Sequence, residues 1–265
     1  MMLGITGLLT IFVGVLFLLF YFYQERVIFI PQKLPKDHQF NYNMNYEERF
    51  VDLEDRIRLH ALLFRTNSTK GVVLYLHGNA GSLDQWGYVA PPFLNAGYDV
   101  FIIDYRGFGK SEGVISSEKE LYEDMQSVYN YLKKEYQENE IILAGFSLGT
   151  GLATKLAAQN NPKLLILKAP YYSMVNVKNH HFPYLPTFLL RYPLHTYKFI
   201  DQINCPLIIF HGEQDEIVPF ESSLQLKELT SERTKLFPLK GQKHNGISIH
   251  PEYIEKLDEV LNKKQ

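Results

Sequence analysis

The chain has 265 residues, 46% of them apolar, a formal net charge of -2 and a single cysteine, Cys205. That length and apolar share support a large α/β domain with a sizeable core. The near balance of charge gives no electrostatic case for nucleic acid as a partner, and one cysteine excludes an internal disulfide framework.

Residues 1–23 carry no charge, and 8–22 are almost all Leu, Phe, Val, Ile and Tyr. As a helix, 3–23 would reach about 30 Å, the thickness of a bilayer core. A cleaved signal peptide would want a basic stretch first and small residues before its cut. No base precedes Arg26, and the far end is Phe20-Tyr21-Phe22-Tyr23. Residues 1–23 are therefore expected to be a single-pass transmembrane anchor that places the protein at a membrane. Arg26, Lys33 and Lys36 follow it, which leans toward a domain on the cytoplasmic side. Residues 24–45 are polar and contain Pro31 and Pro35, with one aromatic-apolar patch at Val27-Ile28-Phe29-Ile30. They read as an extended connector, leaving 46–265 as the folded domain.

Within that domain, 50–53 and 57–64 read as two strands of a hairpin. Strands follow at 72–76, 100–103, 141–144, 164–167, 207–210 and 236–239. Helical patterns stand between them at 84–95, 117–136 and from 152 onward, with a last helix at 251–261. Ser117 with Glu120 three residues on has the form of a capping box. Near-continuous apolar strands alternating with helices predict a mostly parallel central sheet with helices on both faces. In such a sheet, ligands meet the loops beyond the carboxyl ends of the strands.

The polar signals fall at those ends. His77-Gly78-Asn79-Ala80-Gly81 follows the strand at 72–76, and Asp104-Tyr105-Arg106-Gly107-Phe108-Gly109 follows that at 100–103. His211-Gly212-Glu213-Gln214-Asp215 follows the strand at 207–210, and Lys243-His244-Asn245-Gly246 follows the last one. Between 141–144 and the next helix lies Gly145-Phe146-Ser147-Leu148-Gly149. It fits G-x-S-x-G, the sharp strand-to-helix turn that exposes a nucleophilic serine.

A serine hydroxyl needs a base, and the base needs an orienting acid. His244 is the candidate base and Asp215 the candidate acid; the order Ser147, Asp215, His244 suits this machinery on an α/β sheet. A tetrahedral intermediate needs two donors for its oxyanion. The N–H of Leu148 is one, and the N–H of Asn79, with Ala80 as second choice, is the other. His77 and His211 read as loop-shaping residues, and Asp104 as a residue that orders its own loop. Glu213 and Glu216 flank Asp215 without displacing it as the acid. His180, His181 and His250 lack a metal-ligand pattern. Neither a P-loop nor a dinucleotide fingerprint is completed around Gly109-Lys110-Ser111.

These five motifs together resemble the α/β-hydrolase fold serine hydrolases, among them membrane-anchored esterase, lysophospholipase-like and acyl-protein thioesterase-like members. The resemblance covers about residues 45–262. It implies a Ser147–Asp215–His244 triad with Asn79 and Leu148 at the oxyanion hole, and no cofactor or metal. Residues 171–204, rich in aromatics, Leu and Pro, are expected to form a short cap over the serine. The expected reaction is cleavage of carboxylic esters or thioesters of acyl substrates, such as a lipid or lipidated protein. A peptidase acting on short peptides and a catalytically silent scaffold are the alternatives.

Overall fold

The computed structural model describes residues 2–230 and 233–262. Eight strands form one sheet: β1 (Tyr46–Asp52), β2 (Arg58–Phe64), β3 (Val72–Leu76), β4 (Asp99–Ile103), β5 (Ile141–Phe146), β6 (Leu164–Lys168), β7 (Leu207–Gly212) and β8 (Thr234–Leu239). Their order across the sheet is β1-β2-β4-β3-β5-β6-β7-β8. β2 runs antiparallel to both β1 and β4, and every other pairing is parallel. The expected hairpin and mostly parallel sheet are both present.

Strand alternation sorts the core into two layers. Val72, Leu74 and Leu76 of β3 pack on one face, Val73 and Tyr75 on the other, and all five are fully buried. A helix α2 (Glu118–Leu132) and a helix α3 (Leu148–Gln159) cover the first face through Leu121, Met125, Leu152 and Leu156. The second face is covered by the last helix, Pro251–Asn262, through Tyr253, Leu257 and Leu261. Each such side chain removed from water contributes about 1.5–3 kcal/mol. Ser117 caps α2 by accepting from Glu120 N–H at 3.1 Å, while the Glu120 carboxylate bonds Ser116.

Two helix expectations change. The helical pattern at 84–95 is broken into Leu83–Trp86, a 3-10 turn at Gly87–Val89, and Pro91–Asn95. Pro91 and Pro92 have no N–H to continue a helix, so the chain restarts with proline in the first turn. The second concerns the N-terminus. A helix α1 spans Met2–Tyr23, but among the described residues no helix is long and apolar enough to cross a membrane. The transmembrane anchor expected over 1–23 is therefore not supported.

Residues 24–45, expected as an extended connector, are packed onto the domain. Gln24, Ile28, Phe29 and Phe40 are buried. Ile30–Pro31 form a two-residue parallel ribbon with Ala80–Gly81, outside the main sheet. Cys205 is buried before β7, and burial pushes its thiol up to about 11.

Candidate active site

Ser147 sits between β5 and α3 with φ 48° and ψ -117°, a strained backbone for a residue with a side chain. Its neighbours two residues away make the turn feasible. A Cβ on Gly145 would meet Gly149 O at 2.6 Å and Thr150 Cα at 2.8 Å. A Cβ on Gly149 would run into Leu76 O and come within 2.8 Å of His77 O. Both obstacles are backbone, so only glycine fits. The turn is held by Ser147 N–H donating to Lys168 O at 3.0 Å.

The turn brings three sequence-predicted residues together. His244 Nε2 lies 3.0 Å from Ser147 Oγ, and its Nδ1 lies 2.7 Å from Asp215 Oδ2. A carboxylate only accepts, so Nδ1 carries the proton and Nε2 is left to accept from the serine hydroxyl. Asp215 Oδ1 accepts from the N–H groups of Ile217 and Val218 at 2.9 and 2.8 Å. Burial works against the Asp215 charge, but hydrogen bonds from His211 and His244 outweigh it and hold the carboxyl well below the usual range. Glu213 and Glu216 flank it but are exposed, and Glu216 pairs with Lys243.

Asn79 and Leu148, which follow β3 and β5, both line the cavity that Ser147 also lines. Neither backbone N–H donates to another described residue. His77, fully buried, bonds Gly78 O through Nδ1 at 2.6 Å and stacks on Trp86. It shapes the loop rather than reaching the serine.

The cavity measures about 680 Å³. Its walls come from the 171–204 segment through Met174, Val177, Phe182, Leu185 and Leu190, from Trp86 and Phe146 near the sheet, and from Ile217 and Val218 beside Asp215. Its lining is apolar around a small polar centre, as small-molecule sites tend to be.

A family model described as serine aminopeptidase, S33, matches residues 67–197. The uncharacterized protein R595 of Acanthamoeba polyphaga mimivirus is 30% identical over 243 residues, which cover 82% of each chain. Esterase Pf2001 of Pyrococcus furiosus has the same fold, with a TM-score of 0.72 over 88% of this chain and 97% of its own, at 21% identity. The chain belongs to the α/β-hydrolase fold serine hydrolases. Lysophosphatidylserine lipase ABHD12 of Danio rerio is 31% identical over 225 residues, 73% of this hydrolase and 59% of the lipase. The hydrolase thus spans less than two thirds of that relative.

Three features of the hydrolase's site escape a reading of its motifs. His211 is not only loop-shaping: its Nε2 lies 3.2 Å from Asp215 Oδ2 and 2.9 Å from Val218 O, and its Nδ1 lies 2.6 Å from Ser223 Oγ. Lys168 ends the apolar strand β6 yet is fully buried. Its Nζ donates to Ser248 Oγ at 2.7 Å and lies 4.8 Å from the Tyr75 ring and 5.1 Å from that of Tyr253. Burial brings its amine down to about 7. The third feature is that Phe20, Val27, Ile28 and Ile30 line the cavity. A lysine closing a run of Leu and Ile was a visible signal; the reach of residues 20–30 to the serine had none.

Proposed function

We propose that this serine hydrolase cleaves carboxylic esters or thioesters of acyl substrates through a covalent acyl-enzyme. Ser147 attacks the acyl carbonyl while His244 Nε2 takes its proton. His244 then returns that proton to the departing alcohol or thiol, and Asp215 holds the imidazole and balances its charge. The N–H groups of Leu148 and Asn79 receive the oxyanion. Water repeats the sequence and frees the acid.

The observation that carries this reading is the chain of contacts from Asp215 through His244 to Ser147 at 2.7 and 3.0 Å, opening into an apolar cavity. The 171–204 segment supplies much of that cavity and acts as the cap. The cavity's apolar lining suits an acyl chain, and the lipase named among the relatives supports a lipid substrate. The exposed Leu, Ile and Phe side chains of α1, with Tyr184 and Phe188 on the cap, support work at a lipid surface.

Peptide hydrolysis is the second reading, favoured by the description of the matching family model. An aminopeptidase needs a carboxylate to receive the substrate ammonium, and none stands among the described residues lining the cavity. Lys178, which does line it, donates to Leu185 O at 2.7 Å.

Labelling with a serine-directed fluorophosphonate, together with a panel of acyl esters, thioesters and peptide amides, tests the proposal. Wild type should label and prefer the esters or thioesters, and Ser147→Ala should lose labelling and at least about 10⁴-fold of turnover. An unlabelled wild type, or a Ser147→Ala chain that still hydrolyses esters, would overturn it.

A further inference from the structure

We propose that residues 20–31 are a working part of the active site, holding the Asn79 loop in register and forming one wall of the acyl pocket. This rests on the reading of Ser147 and Asn79 given above.

The loop at 79–81 lies outside the main sheet, and this strap gives it a strand partner. Ile30 N–H donates to Asn79 O at 2.8 Å, and Gln32 N–H donates to Gly81 O at 2.9 Å. The Asn79 side chain answers by donating from Nδ2 to Ile28 O at 2.8 Å. Asn79 is thus gripped through its own carbonyl and its own side-chain amide, neither of which engages its backbone N–H. Trp86 Nε1 holds the next residue through Ala80 O at 2.9 Å.

The strap is itself fastened to the cap. Gln24 is fully buried; its Nε2 donates to Leu189 O at 3.0 Å, and its Oε1 accepts from Arg191 N–H at 2.8 Å. Phe29 meets the Tyr192 ring edge-on at 5.1 Å, and Tyr192 Oη lies 3.0 Å from Glu25 Oε1. A buried amide with both ends satisfied fixes position more than it adds stability, because the cost falls on any state in which it is unpaired.

The strap offers the cavity only apolar side chains: Phe20, Val27, Ile28 and Ile30. That chemistry recognises an alkyl chain. One segment therefore sets both the oxyanion donor and the surface on which the acyl chain lies. A donor must sit about 2.7–3.1 Å from the developing oxyanion, and a misplacement of about 1 Å costs about a hundredfold in rate.

The test is Ile30→Pro in the full chain. Phe29 has φ -110° and ψ 121°, an extended conformation that accepts a following proline, so the change deletes the N–H on Asn79 O without a conflict at residue 29. Ile30→Val keeps that N–H and is the control. We expect kcat for an acyl ester and the fluorophosphonate labelling rate to fall together by at least about tenfold in Ile30→Pro, with KM moved less than about threefold. Ile30→Val, which trims the pocket wall but keeps the N–H, should lower kcat and the labelling rate far less than Ile30→Pro. Gln24→Leu, which releases the strap from Leu189 and Arg191 at a residue that does not line the cavity, should lower kcat in the same way and carries the test if Ile30→Pro does not fold. Wild-type kcat in a folded Ile30→Pro or in Gln24→Leu, or a change confined to KM, would overturn the role of the strap. Failure of the underlying reading is separable, since that would appear as ester hydrolysis by Ser147→Ala.

Discussion

His211 and His244 bring ring nitrogens to the same atom, Oδ2 of Asp215, at 3.2 and 2.7 Å. Both must be donors there, because a carboxylate only accepts. The Ser223 hydroxyl, 2.6 Å from His211 Nδ1, can donate to that nitrogen, so a neutral His211 satisfies every partner around it. Asp215 is therefore oriented from two sides, and only one of them faces the serine.

His211→Phe should lower kcat by about tenfold, and His211→Gln, whose amide can supply the lost donor, should retain more. The same variant has a stability signature. Asp215 is held below the usual carboxyl range, with His211 a named cause. Its ionised form adds stability above about pH 4 that is lost as pH falls through the folded value. Without His211 that folded value rises, so acid unfolding should begin at higher pH. Acid titrations followed by circular dichroism would show it, and an unshifted midpoint would count against the arrangement.

Gly149→Ala should damage both fold and activity. Its Cβ would be driven into the backbone carbonyls of Leu76 and His77, which have no flexible end to yield. Overpacking of this kind costs about 1–3 kcal/mol, and any relief would move the start of the loop that carries Asn79. A lowered Tm with reduced labelling is expected; wild-type values of both would be incompatible with the turn described.

Lys168 makes stability depend on pH in the opposite range. Unfolded, a lysine amine titrates near 10.4; folded, Lys168 is brought down to about 7. Between those values the unfolded chain holds a proton that the folded chain lacks, so stability rises with pH across that window. At pH 7 and below the burial cost is present almost in full, on the order of 3–5 kcal/mol. Lys168→Met should be more stable than wild type near neutral pH, less the lost bond to Ser248, and should flatten the rise. Denaturant unfolding from about pH 6.5 to 9.5 measures the difference.

The cavity predicts a chain-length preference. Each methylene moved from water to an apolar wall is worth about 0.8 kcal/mol, or about fourfold in kcat/KM, until the cavity is full. Met174→Trp should shorten the preferred chain. Equal rates for acetyl and long-chain esters would remove the acyl-pocket role.

The serine turn was readable because its constraint is local: Gly145 and Gly149 must be glycine for reasons confined to their immediate neighbours, and the apolar strand before them is continuous. Asp215 and His244 were readable from their places after strands, since a parallel sheet puts those ends on one edge. The break at 84–95 was written in Pro91-Pro92, but the apolar spacing around it imitates one helix. The packing of residues 24–45 was hidden for a different reason. Gln24 finds its partners 165 and 167 residues away, and no local pattern encodes such a contact. Composition alone made 1–23 look like a membrane span, whereas among the described residues no helix is long and apolar enough to cross one.

The Gln24 clasp also bears on how the chain folds as it is made. The strap is synthesised before either of its partners, Leu189 and Arg191, and closing a loop of that size is slow relative to forming local helices and turns. Until the cap has been made and packed, the segment beside Asn79 has no anchor, and His244 comes later still. A nascent chain can hold a formed serine turn and most of its sheet without an assembled hydrolytic site, so the ability to cut esters arrives last.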